Sequence, residues 1–173
     1  LEDRCLLTAS VGDTSPAVEL AFGAAAGGWT AELTGAIVDS SGVTHQLSIA
    51  PRSAHQGTLI DPDRMTWLVI HGRLGAAADR IYQDIAASID QFDPDDQVLL
   101  LDWETAATGL AAGESRIEAV GRWAGAALDD YGVDASMLNL LGYSWGTYVA
   151  DELAEKIQAR QLQPVSSIIL LDP

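Results

Sequence analysis

The chain has a single cysteine, Cys5, in 173 residues, so no disulfide can close within it and cysteine chemistry is not indicated. Basic residues are nearly as scarce: nine Lys and Arg stand against 25 Asp and Glu, a formal charge of −16. A field of that sign repels phosphate backbones, which argues against nucleic acid as a partner. No apolar run approaches the roughly 18 residues needed to cross a bilayer, so no transmembrane segment is expected. No signal peptide is legible either. Metal-ligand spacings and phosphate-cradling glycine loops are missing, so no cofactor and no metal is implied. The acidic pairs Asp95-Asp96 and Asp129-Asp130 lack the alternating spacing of a calcium loop.

What is present is a globular composition, with 48% hydrophobic and 20% charged residues. The length suits one domain with a sizeable core, or a small module joined to part of a larger one. Residues 1–60 read as short β-prone runs between small-residue turns. "AVELAFGA" alternates, "GGWTAELTGAIVDSSG" carries two alternating stretches, and "VTHQLSIAP" stops at Pro51. A small antiparallel β-element is expected there, either independent or packed on the remainder of the chain. His45 and His55 are expected to be ordinary surface or edge residues.

From residue 61 the pattern changes, and 61–173 is expected to form one α/β unit. "MTWLVIHG", "QVLLLDW", "MLNLLGYS" and "SSIILLDP" are apolar runs of the kind buried on both faces of a sheet. Between them lie helical stretches. "AAADRIYQDIAASIDQF" repeats apolar positions at 77, 81, 85 and 89, and "SRIEAVGRWAGAALDDYG" aligns Ile117, Val120, Ala124 and Leu128 ahead of a stop at Gly132. "WGTYVADELAEKIQARQ" supplies a third helix. Strands alternating with helices of this length predict a parallel α/β sheet.

Within that pattern, "GYSWG" puts Ser144 at the carboxyl end of a strand with a helix after it. A tight strand-to-helix turn crowds the positions two before and two after its apex, and Gly142 and Gly146 occupy both. The turn lifts the hydroxyl of Ser144 off the sheet, with the N–H of Trp145 behind it as an oxyanion donor. A plain glycine-rich connection would have the same letters, and the strand-turn-helix context favours the nucleophile. The other strand ends supply candidate parts. His71 and Gly72 let the first strand turn closely past the nucleophile, so that the Arg73 N–H can be a second oxyanion donor, with His71 a loop-fixing residue. Asp102 is expected to anchor neighbouring loops. Asp172 could orient a histidine.

An "IHG" strand end, then "LLDW", a helix, "GYSWG" and "LDP", in that order, resembles the pancreatic-lipase family of α/β-hydrolases over residues 65–173. The resemblance implies Ser144 as nucleophile, Asp172 as triad acid, and the backbone amides of Arg73 and Trp145 as the oxyanion hole. It implies an ester or lipid substrate. The family usually has an apolar or aromatic residue in place of Arg73, and His and Leu in place of Tyr143 and Trp145. A bulky Trp145 would reshape the acyl pocket. Separately, "LEDRCLLTAS" resembles an element near the start of large secreted planctomycete proteins, which implies an extracellular setting.

The resemblance places the catalytic histidine well after the acid, whereas His45, His55 and His71 all precede Ser144. The expectation is therefore an incomplete core, the N-terminal portion of a longer hydrolase, with the base supplied by sequence beyond Pro173 and little turnover without it. Two other readings share the same residues: a hydrolase-fold domain kept for binding or structure in a large surface protein, and a thioesterase or peptidase on the same scaffold.

Overall fold

The computed structural model describes residues 30–52, 55, 58–108 and 113–173. The runs "LEDRCLLTAS" and "AVELAFGA" lie outside these residues. Among the described residues six strands and three α-helices succeed one another: β1 (Leu33–Val38), β2 (Thr44–Pro51), β3 (Thr66–Ile70), α1 (Arg80–Phe92), β4 (Gln97–Asp102), α2 (Gly113–Tyr131), β5 (Leu138–Tyr143), α3 (Trp145–Gln161) and β6 (Ser167–Leu171). All six strands form one sheet in the order β1-β2-β4-β3-β5-β6. Pairing is parallel from β4 through β3 and β5 to β6, and antiparallel from β1 to β2 and from β2 to β4.

β1 and β2, the described strands ahead of residue 60, therefore join the sheet edge to edge. Ser48 to Pro51 of β2 align with Asp102 to Leu99 of β4, and the hydrogen-bonded sheet runs across the boundary expected at residue 60. The result is a mixed, mostly parallel sheet with helices between its parallel strands, the α/β fold class the sequence implies.

Side-chain alternation in the central strands feeds two separate cores. Leu68 and Ile70 of β3, Leu99 and Leu101 of β4, and Leu138 and Leu140 of β5 pack with Val120, Trp123, Ala124 and Leu128 of α2 and with Leu153 and Ile157 of α3. Val69, Val98, Leu100 and Leu141 face the other way, onto Tyr82 and Ala86 of α1. Connections to a parallel strand are right-handed, so a change in direction along the sheet moves the helix to the opposite face. The chain runs from β3 outward to β4, then back across β3 to β5 and on to β6. Hence α1 covers one face, and α2 and α3 cover the other. Of the apolar positions expected to face the core, Ala77, Ile85 and Ile89 pack against it beside the buried Tyr82 and Ala86, while Ile81 is 49% exposed. The Tyr82 hydroxyl accepts a hydrogen bond from the Gly72 N–H.

His45 also departs from expectation. It alternates with Leu47 and Ile49 on the core face of β2 and is buried. One ring nitrogen, Nδ1, lies 2.8 Å from the Thr105 carbonyl, and Nε2 lies 3.0 Å from Asp39 Oδ2. Arg116 of α2 donates to the same carboxylate oxygen at 2.6 Å. The other oxygen, Oδ1, accepts from the Ser41 N–H and hydroxyl and from the Val43 N–H. One carboxylate thus ties the β1–β2 hairpin to α2, and His45 adds the segment after β4. The hydrogen bond from His45 first, then those from Ser41, Val43 and Arg116, hold the Asp39 carboxyl far below the ordinary 3.8.

A carboxyl depressed in the folded state stabilises the fold fully above its unfolded-state pKa, and the contribution fades as pH falls toward the folded value. Asp39→Asn should therefore lower the thermal midpoint at neutral pH. Thermal unfolding across a pH series should show the gap from the unsubstituted protein closing below about pH 4. A gap of constant size down to pH 2 would contradict this role for Asp39.

Candidate active site

In an open α/β sheet, a crevice opens at the carboxyl ends of two adjacent strands whose succeeding helices leave to opposite faces. Here those strands are β3, succeeded by α1, and β5, succeeded by α3. The loop after β3 carries His71, Gly72 and Arg73, and the turn after β5 carries Ser144. β6 lies on the far side of β5, and Asp172 comes directly after it. The candidate residues therefore line three neighbouring strand ends, with Ser144 in the middle.

Ser144 has φ 50° and ψ −122°, a combination that L-residues rarely adopt. Strain of this kind costs about 1–3 kcal/mol and persists only where the surroundings impose it. Three backbone contacts do so. A Cβ at Gly146 would lie 2.4 Å from the Ile70 carbonyl oxygen and 2.6 Å from that of His71. A Cβ at Gly142 would lie 2.4 Å from the Gly146 oxygen, and one at Gly72 would lie 2.9 Å from Ser144 Cβ. The start of α3, the end of β3 and the loop after it thus meet at backbone distance. Hydrogen bonds lock the same turn: the Ser144 N–H donates to the Leu171 carbonyl at 2.8 Å, and the Thr147 N–H and hydroxyl both donate to the Ser144 carbonyl.

Serine at the start of a helix ordinarily accepts a hydrogen bond from one of the first free amides. The Ser144 side chain does not cap α3, so its hydroxyl stays available at a half-buried position. Among the described residues, the amides of Arg73 and Trp145 donate to no other backbone carbonyl. They lie at the two edges of the crevice, and the N-terminus of α3 adds its positive partial charge beside Ser144. Such a site can favour negative charge developing on an oxygen bonded to a carbon under attack by the hydroxyl.

The loop after β3 is held from beneath. His71 is buried, with Nδ1 2.9 Å from the Gly72 carbonyl and Nε2 accepting the Trp103 N–H at 3.0 Å. Nε2 also lies 3.4 Å from Asp102 Oδ1. The Trp103 indole N–H donates to the His71 carbonyl and its ring stacks on the imidazole, while Tyr82 holds the Gly72 N–H. Asp102 accepts the Glu104 N–H. Tyr82 and Trp103 are the supporting residues that sequence reasoning missed. Trp103 closes the run "QVLLLDW", but a buried strand-end Trp has no pattern that names its partner. Tyr82 lies off the apolar spacing of its helix.

The remaining candidates separate. His45 is committed to Asp39 and Thr105, and His55 lies 3.2 Å from an Asp90 oxygen at the surface. Asp172 comes directly after the residue whose carbonyl binds the Ser144 N–H and is exposed, with φ 51°. No group of three or more metal-binding side chains occurs among the described residues, and no helix among them is long and apolar enough to cross a membrane.

No family model and no curated protein matches the sequence. Solved structures do. The chain is similar to the esterase Est22, with 15% identity, 79% of this chain and 42% of that one covered, and a TM-score of 0.47. It is similar to the esterase LipW from Mycobacterium marinum, with 19% identity, coverage of 81% and 43%, and a TM-score of 0.46. It is also similar to LAE6, an α/β hydrolase from the metagenome of Lake Arreo, Spain, with 16% identity, coverage of 92% and 45%, and a TM-score of 0.48. The chain spans less than half the length of each.

Two substitutions test the turn. Gly146→Ala should destabilise the protein by about 1–3 kcal/mol, because the new methyl group meets backbone carbonyls that cannot move aside independently. Ser144→Gly should stabilise it by about 1 kcal/mol by releasing the strain, whereas Ser144→Ala should not. Chemical unfolding of the three variants reads both effects, and equal stabilities for Ser144→Gly and Ser144→Ala would contradict a strained turn.

Proposed function

We propose that the chain is the nucleophile-bearing part of a serine carboxylic ester hydrolase. The observation that carries this reading is the strained Ser144, its hydroxyl uncommitted at the crevice between β3 and β5. Ser144 Oγ attacks the ester carbonyl carbon, and the carbonyl oxygen gathers charge beneath the N–H groups of Arg73 and Trp145. The alcohol departs with a proton, and water then releases the acid from the acyl-enzyme. Asp172, one strand beyond the nucleophile strand, is the acid that orients the base, the placement of the pancreatic-lipase-like family. The base itself is a histidine outside these 173 residues, since each histidine of the chain is engaged elsewhere. The esterase names of the similar structures agree with an ester substrate. A secreted setting rests on the N-terminal resemblance alone.

A second reading, a hydrolase-fold domain retained for binding, is favoured by that same engagement of all three histidines. A fluorophosphonate probe separates the two. The natural full-length polypeptide should be labelled, the label should map to Ser144, and Ser144→Ala should abolish it. Asp172→Asn should lower kcat by roughly 10³–10⁴-fold toward a short-chain p-nitrophenyl ester. An unlabelled full-length protein favours the binding reading.

A further inference from the structure

Arg73 enters the proposed mechanism only through its backbone, yet its side chain is placed unlike that of any other arginine among the described residues. Arg52, Arg80, Arg116, Arg122 and Arg160 each pair with a carboxylate, and Arg64 donates to the carbonyls of Pro94 and Asp95. Arg73 has no such partner among the described residues, although the chain carries 25 acidic residues. Its Nε is buried without a hydrogen-bond partner. Its guanidinium carbon lies 5.2 Å from the centre of the Trp145 ring, in the range of a cation–π contact. A cation is thus held against the residue next after the nucleophile, with its donors unspent.

Sheet order says which part of an ester would meet it. Ser144 ends β5, Arg73 lies after β3 on one side, and Asp172 lies after β6 on the other. The leaving alcohol must face the base that protonates it, and that base is oriented from Asp172. The acyl chain then extends to the opposite side, toward Arg73 and Trp145. Guanidinium binds carboxylate through paired N–H donors, and the Trp145 face limits the rotation of that fork. From this placement we propose that Arg73 is a specificity-determining residue, binding a carboxylate on the acyl chain, and that the preferred substrates are half-esters of short dicarboxylic acids. This inference rests on the esterase reading and adds a substrate class to it.

The test uses the natural full-length polypeptide and two probes, mono-p-nitrophenyl glutarate and p-nitrophenyl valerate. The unsubstituted protein should favour the glutarate ester in kcat/KM by roughly 10–100-fold, as expected for a charge-assisted contact. In Arg73→Gln, which keeps the backbone N–H, the ratio of the two kcat/KM values should collapse toward unity, and Arg73→Lys should restore part of it. A ratio near unity in the unsubstituted protein, or one that Arg73→Gln leaves unchanged, overturns the proposal while leaving the esterase reading intact. Free glutarate provides a readout independent of turnover: it should raise the melting midpoint of the unsubstituted protein and not that of Arg73→Gln, and no rise in either overturns the proposal. Failure of the esterase reading shows differently, as a protein that hydrolyses neither ester and escapes phosphonate labelling at Ser144.

Discussion

Between the first turn of α3 and the end of β3 there is no room for one additional carbon atom. A Cβ on Gly146 would lie 2.4 Å from the Ile70 carbonyl oxygen, and that approach sets the geometry of the site. Because the helix start sits against the strand end, Ser144 must reverse direction within one residue. The residue that makes the reversal takes a φ that only glycine accepts without cost. Serine is there instead, and its side chain is directed away from the capping role it would otherwise have. The same approach brings the loop after β3 against Ser144, where a Cβ on Gly72 would lie 2.9 Å from Ser144 Cβ.

Holding such an arrangement requires support beneath it, since a site that is loose by about 1 Å loses most of what positioning contributes. The support is a buried set of His71, Trp103 and Tyr82, each of which bonds the backbone of the β3 loop or is bonded by it. Both nitrogens of His71 are occupied in holding that loop. The imidazole that the proposed chemistry needs is therefore a different one. Arg73 is held differently: its backbone is positioned with the loop, and among the described residues its cationic end rests on the Trp145 ring. A positioned charge that no carboxylate among the described residues pairs gives the crevice a polarity opposite to that of the chain as a whole.

The parallel sheet was legible because its strands are continuous apolar runs, and burial on both faces leaves that signature directly. The turn at Ser144 was legible for a steric reason, since two glycines flanking a strand-end residue mark where chain must pass against chain. Pairing partners were less legible. β2 alternates as an edge or hairpin strand does, and alternation records which face is buried but not which strand lies alongside. His45 looked like an edge residue because its burial depends on Asp39, Thr105 and Arg116, none of which its neighbours in sequence announce. The face of α1 was legible at Ala77, Ile85 and Ile89 but not at Ile81, which is exposed while Tyr82 beside it is buried and accepts the Gly72 N–H. The orientation of the Arg73 side chain is a tertiary fact with no local pattern behind it.

The most direct measurement of the central claim is a crystal structure of the natural full-length polypeptide after reaction with an alkyl phosphonate. The account predicts phosphorus bonded to Ser144 Oγ, a phosphonyl oxygen accepting from the N–H groups of Arg73 and Trp145, and a histidine from outside these residues lying between Ser144 and the Asp172 carboxylate. Phosphonate bonded at another residue, or Asp172 turned away with no histidine beside Ser144, would contradict it.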